Sequence, residues 1–156
     1  MLPFPVVIRP MQENEAAAVA ALTRECPEAA QWSAKDYGAA ACAGDGWHGR
    51  GSCVLVAASG SGLIGFLAVR AVAEELEVLN LGVAAAARRG GIATRMLEAA
   101  FAAARAAGAA KVFCEVRESN AGGRAFYARH GFREAGRRAK YYASPVEDAL
   151  VLAREL

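Results

Sequence analysis

Residues 79–94 read Leu-Asn-Leu-Gly-Val-Ala-Ala-Ala-Ala-Arg-Arg-Gly-Gly-Ile-Ala-Thr: an apolar strand, a short connection, two arginines and a glycine pair directly ahead of a long alanine-rich helix. A strand that passes through glycines into a helix calls for a fold in which sheet and helix layers touch, and the junction itself suits phosphate. The N–H groups of a helix's first turn lack intrahelical acceptors, the helix dipole places roughly half a positive charge there, and glycine lets a ligand approach the main chain. Arg88 and Arg89 add fixed charge beside it. The run lacks both the G-x-G-x-x-G spacing of a dinucleotide fold and the G-K-[ST] end of a P-loop. Taken alone, the glycines could equally do no more than cap and pack the helix.

The surrounding pattern is mixed α/β. A short strand at residues 6–9 precedes a helix from residues 13–15 to about residue 26, where Pro27 ends it. Ser33 and Asp36 form a weaker version of a capping box for a second helix reaching about residue 43, and residues 44–51 form a glycine-rich loop. Strands at 52–58, 63–71 and 75–83 follow, the first two joined by a hairpin turn at Ser59-Gly60-Ser61-Gly62. From residue 91 to 107, Ile92, Met96, Leu97 and Phe101 share one helical face, with Gly108 as the stop. Residues 111–117 then read as a buried strand reached by a helical crossover, hence parallel to 75–83. A helix at 120–129 and strands near 132–142 and 148–156 complete the chain.

At 156 residues the chain has the size of one domain. Its net charge of +2 argues against a dedicated nucleic-acid binder, and no apolar run approaches the ~20 residues of a membrane-spanning helix. The N-terminus lacks the basic region and cleavage site of a signal peptide, so a cytoplasmic location is the default expectation. Cys26, Cys42, Cys53 and Cys114 show no metal-ligand spacing and read as reduced, mostly buried thiols; His48 and His130 read as surface or helix-end residues. No metal centre is expected.

Arg88-x-x-Gly91-x-Ala93 resembles the [QR]-x-x-G-x-[GA] signature of the GNAT superfamily of N-acetyltransferases. The segments at 79–83, 113–120, 125–127, 131–133 and 137–150 resemble one branch in particular, the bacterial ribosomal-protein alanine N-acetyltransferases. The resemblance covers about half the chain. It departs from the branch at residues 84–87, where alanines replace a D-P-x-[YF]-like turn, and at Trp32-Ser33, which is all that remains of an F-P-W-S segment. The resemblance implies a mostly antiparallel central sheet of six to seven strands, a splayed parallel pair in its middle and about four flanking helices. It also implies acetyl-CoA as cosubstrate, its pyrophosphate on Arg88, Arg89, Gly90, Gly91, Ile92, Ala93 and Thr94. Its pantetheine would lie along the main chain of Leu81, Gly82 and Val83, with Asn120 and Tyr127 as further contacts.

Within that resemblance Glu115 takes the position of the general base and Tyr127 that of the general acid for the departing thiolate. Local readings stand beside these roles: a strand-end ion pair of Glu115 with Arg117, core packing for Phe126 and Tyr127, and an N-cap for Asn120. A carboxylate suits an α-amine acceptor. With a pKa about 8 such an amine needs roughly 1.4 kcal/mol to lose its proton at pH 7, against about 4.6 for a lysine. The resemblance to that branch thus implies acetyl transfer to a peptide or protein N-terminus, a ribosomal protein among the candidates, by a monomer or homodimer without direct nucleic-acid or membrane contact. A small-molecule or lysine acceptor, and a non-catalytic acyl-CoA sensor, remain as alternatives.

Overall fold

The computed structural model describes residues 2, 4–42, 46–60 and 62–156. Strict alternation of buried and half-exposed residues at 111–117, and at 75–83 apart from its ends, makes these the central strands of a seven-stranded sheet. In chain order the elements are β1 (Val7–Pro10), α1 (Ala16–Thr23), α2 (Ala34–Ala40), β2 (Gly51–Ser59), β3 (Gly62–Val72) and β4 (Glu75–Val83). Then come α3 (Ile92–Ala106), β5 (Lys111–Arg117), α4 (Ala121–Arg129), β6 (Arg133–Ala143) and β7 (Val146–Glu155). Short 3-10 turns at Glu13–Glu15 and Ala85–Ala87 lead into α1 and follow β4. The strand order is β1-β2-β3-β4-β5-β7-β6, antiparallel throughout except for β4 and β5, which are joined by the α3 crossover that a parallel pair requires.

The expected fold class holds, and element ends differ by a few residues. α1 stops at Thr23, ahead of Cys26, because the following turns leave the helical ladder before Pro27. α2 ends at Ala40. The residues assigned to its last turn and to part of the following loop (43–45), and Ser61 in the β2–β3 turn, lie outside the described set. The capping box of α2 is complete: the Asp36 carboxylate accepts from the Ser33 N–H at 2.7 Å while the Ser33 hydroxyl accepts from the Asp36 N–H at 3.2 Å.

Two apolar layers sandwich the sheet. On one face α3 and α4 bury Ile92, Met96, Leu97, Phe101 and Tyr127 against Leu67, Val69, Leu76, Val78, Val112 and Cys114. On the other, α1 and α2 bury Val19, Leu22 and Tyr37 against Val54, Val56, Phe66 and Ala68. Helices cover this second face only over β2, β3 and the C-terminal half of β4. Beyond them the same face carries Arg70, Glu77, Phe113 and Glu115 along an open groove. Among the described residues no helix is long and apolar enough to cross a membrane.

Gly82 sits where the α1–α2 layer presses closest on the sheet. A Cβ there would stand 2.6 Å from the Phe66 ring and 2.9 Å from Cys26 Sγ. Phe66 is fully buried and packed edge-on against Tyr37, so the ring has no free space to retreat into. Gly82→Ala should lower stability by about 1–3 kcal/mol, as overpacked cores do. Urea denaturation would read this as a lower midpoint, and an unchanged midpoint would show that the ring can yield.

Candidate active site

β4 and β5 pair from Glu75 and Lys111 to Val78 and Cys114, then part. The next residue of β4, Leu79, has no partner on β3, because the register passes from Val69↔Val78 to Ala68↔Asn80. This bulge turns β4 at the point where its parallel partner is lost. Asn80 then holds the bent strand against the α1–α2 connection. Its Nδ2 donates to the Ala30 carbonyl (2.8 Å) and the Tyr37 hydroxyl (3.0 Å), and its Oδ1 accepts from the Ala30 N–H (3.0 Å). The Tyr37 hydroxyl closes the network on Thr23.

The open edge of β4 follows from ladder geometry. The Ala84 N–H donates to the Ile64 carbonyl, so Gly82 also turns its polar groups to β3, while those of Leu81 and Val83 face the gap beside β5. Of the three residues expected to meet a ligand through the main chain, two face the gap and Gly82 serves core packing. The Leu81 N–H has the Asn80 Oδ1 at 3.2 Å, and the Val83 carbonyl accepts from Arg88 Nε at 3.1 Å. Arg88 also donates to the Glu25 carbonyl. Its side chain therefore fastens the loop, and both it and Arg89 are exposed beside the helix end.

Ala84–Arg88 turn tightly through the 3-10 segment, with Ala87 buried, and Arg89 and Gly91 take the left-handed φ values of 65° and 75°. Gly91 is the N-cap of α3 and carries no side-chain cap. Arg95 N–H makes the first helical bond to the Gly91 carbonyl, leaving the N–H groups of Ile92, Ala93 and Thr94 without acceptors among the described residues. The Thr94 hydroxyl meets His130 Nε2 at 2.9 Å. His130 Nδ1 in turn donates to the Phe126 carbonyl at 2.8 Å, which ties the ring to α4. Nothing in the local sequence around Thr94 signals that the C-terminal end of α4 adjoins this turn.

Glu115 and Tyr127 lie on opposite faces of the sheet at the parting of the strands. Glu115 is the first residue of β5 past the last β4 pair and projects, half-buried, to the groove face with Phe113 and Arg117. Its carboxylate accepts from Arg138 Nε at 2.7 Å, which corrects the expectation of an Arg117 partner. Arg117 instead stacks on the Tyr142 ring at 4.2 Å and lies near Glu147. Tyr127 is buried on the helix-covered face between Phe126 and Phe132, near Cys114. Burial, with a smaller contribution from Cys114, pushes its hydroxyl well above the ordinary tyrosine range, so it stays protonated and able to donate. Asn120 caps α4, its Oδ1 accepting from the Gly123 N–H at 2.9 Å.

The groove in front of Glu115 has a volume of about 1120 Å³ and is lined by residues of β3, β4, β5, β6 and β7, Arg70, Glu77, Phe113 and Arg138 among them. Arg138 and Tyr141 were not recognisable as neighbours of Glu115 in the sequence. Their strand reaches it only across β7, a contact set by pairing order and invisible to local patterns.

The acetyltransferase (GNAT) family model matches residues 16–132. The chain belongs to that family. No curated protein sequence matches this acetyltransferase, but solved structures do. The ribosomal-protein-S18-alanine N-acetyltransferase from Escherichia coli is 25% identical, with a TM-score of 0.77 over 97% of this chain and 94% of that one. Arabidopsis thaliana NAA60, solved with a bisubstrate analogue, gives 17% identity and a TM-score of 0.81 over 97% and 98% of the two chains. A GNAT family acetyltransferase from Elizabethkingia anophelis with acetyl-CoA bound gives 18% and 0.75 over 97% and 98%. The last two establish likeness of fold.

All four tyrosines of this acetyltransferase are raised above the ordinary value. Burial is the main cause for Tyr37, lifted to about 12, and for Tyr127 and Tyr142, whereas a hydrogen bond to Glu115 leads for Tyr141. The folded state thus favours the neutral phenol, and its stability is intact below the unfolded-chain pKa of 10.0 and declines as pH rises toward about 12. Tyrosinate absorbance and loss of circular dichroism should rise together in that window. Half-titration of all four rings at pH 10.0 in a still-folded chain would contradict the burial assignment.

Proposed function

We propose that this acetyltransferase moves an acetyl group from acetyl-CoA to the α-amine of a protein N-terminus of the ribosomal-alanine kind, by direct attack. The observation that carries this reading is the position of Glu115 and Tyr127 on opposite faces of the sheet where β4 and β5 separate. A base on the groove side and an acid on the helix side is the arrangement an acyl transfer through the gap requires. The N-terminal acceptor is supported by the 25% identity to the S18-alanine enzyme over nearly the whole of both chains, and by a groove roomy enough for an extended peptide.

Acetyl-CoA supplies an acyl thioester that a neutral amine can attack. The chain's own part begins at α3, where the free N–H groups of Ile92, Ala93 and Thr94, the helix dipole and Arg89 take the pyrophosphate. The gap-facing main chain of Leu81 and Val83 bonds the pantetheine, and one of these N–H groups donates to the developing oxyanion. Glu115, directly or through a water, takes the proton from the amine, with Arg138 fixing the carboxylate's orientation. Tyr127 donates to the departing sulfur. Asn120 keeps its cap and adds a pantetheine contact.

Glu115→Gln should lower kcat/KM by about 10²–10⁴-fold, the range of a lost general base, with a flattened pH profile. Tyr127→Phe should lower kcat while the KM for acetyl-CoA changes little. Thiol release with a panel of alanine-started peptides, free amino acids and polyamines reads all of this. An unchanged kcat/KM in Glu115→Gln removes Glu115 from the mechanism, and turnover of polyamines in preference to peptides overturns the acceptor.

A further inference from the structure

Two of the four cysteines meet far in the sequence from the acyl-transfer residues. Cys42 follows the end of α2 by two residues and Cys53 lies inside β2, eleven residues on. Cys53 is fully buried on the α3 face of the sheet, among the residues that pack on that helix, and Cys42 lies half-buried against the same cluster. Their sulfurs are 3.1 Å apart, the Cys53 S–H donating to Cys42 Sγ. Nothing else stands between the two atoms that a disulfide would join, and a covalent S–S bond of about 2.05 Å asks only for a small further approach.

Among the described residues, the pair is also open on one side. A shallow cavity of about 440 Å³, lined by Ala41, Cys42, Trp47, His48, Arg50 and Ser52, opens onto Cys42. Arg50 brings a positive charge to that cavity, its guanidinium held by a hydrogen bond to the Ala107 carbonyl at 3.0 Å. That charge suits a small peptide disulfide bearing carboxylates, one end of which the opening can receive. The two thiols divide the work of exchange: Cys42 is within reach of an oxidant, whereas burial raises Cys53 far above the ordinary thiol range and keeps it from acting first.

We propose that Cys42 and Cys53 are a covalent modification site, closed to an intramolecular disulfide by a glutathione-type peptide disulfide and reopened by dithiols. The Cys42 thiolate attacks one sulfur of the peptide disulfide, breaking its S–S bond and releasing one peptide thiolate. The Cys53 sulfur then attacks Cys42 Sγ, gives up its proton and expels the second peptide thiolate. Two protein thiols are oxidised, one peptide disulfide is reduced to two thiols, and the two protons pass from protein to peptide sulfur. The product ties the C-terminal end of α2 to β2, fixing the helix whose Tyr37 anchors the Asn80 network. This modification stands independently of the proposed acetyl transfer.

Trypsin separates the two cysteines, since cleavage at Lys35, Arg50 and Arg70 puts Cys42 in peptide 36–50 and Cys53 in peptide 51–70. The reduced, folded chain, incubated with oxidised glutathione at neutral pH, then alkylated and digested, should yield these two peptides joined with the loss of two hydrogens, while Cys26 and Cys114 carry the alkyl label. The oxidised chain should melt at a higher temperature, and dithiothreitol should reverse both changes. Cys42→Ser should abolish the joined peptide and the temperature shift while folding as the reduced parent does. Alkylation of both Cys42 and Cys53, glutathione retained on Cys42 with Cys53 free, or joined peptides containing Cys26 or Cys114 in comparable yield would each overturn the proposal.

Discussion

The architecture turns on where β4 and β5 stop pairing. Four residue pairs, ending at Val78 and Cys114, hold the strands together, and the Leu79 bulge then turns β4 out of its partner's reach. Opening a sheet in its middle leaves main-chain groups unpaired, which is costly unless something else satisfies them. The chain compensates in part. The Asn80 Oδ1 accepts from the gap-facing Leu81 N–H, and Arg88 covers the Val83 carbonyl that a neighbouring strand would otherwise have met. What remains open is the Val83 N–H facing the gap and, at the first turn of α3, the N–H groups of Ile92, Ala93 and Thr94.

The gap also explains why the proposed base and the proposed acid come from different layers. Residues 113–117 alternate across β5, so Glu115 faces the groove while Cys114 faces α4 and brings Tyr127 close. A single strand thereby separates a half-exposed carboxylate, held by Arg138, from a buried phenol kept protonated by its surroundings. The groove side is open, and the helix side is apolar and covered.

Much of this was legible in the sequence because it is local. The amphipathic face of α3, the Ser33 cap, the meander of β2 to β4 and the glycine turn all rest on neighbours within a few residues, and motif resemblance singles out Glu115 and Tyr127 as candidates. What stayed hidden depends on distant pairing. Arg138 as the partner of Glu115 requires β6 and β7 to fold back beside β5, Thr94 meets His130 only after α4 docks, and Asn80 acts through Ala30 and Tyr37, some fifty and forty residues away in the chain. Arg88 and Gly82 illustrate the opposite case. The resemblance marks both as ligand contacts, and the structure adds a packing role that the motif does not show: Arg88 fastens the loop and Gly82 admits Phe66.

The central claim is that a donor molecule seats in the gap between β4 and β5 and against the first turn of α3. Residue-resolved amide hydrogen exchange with and without coenzyme A tests it most directly, because neighbouring residues of β4 point in opposite directions. The account predicts new protection at Leu81, Val83, Ile92, Ala93 and Thr94 with Gly82 unchanged, since its N–H already pairs with β3. Protection that leaves these amides untouched, or that falls on the α1–α2 face alone, would contradict it.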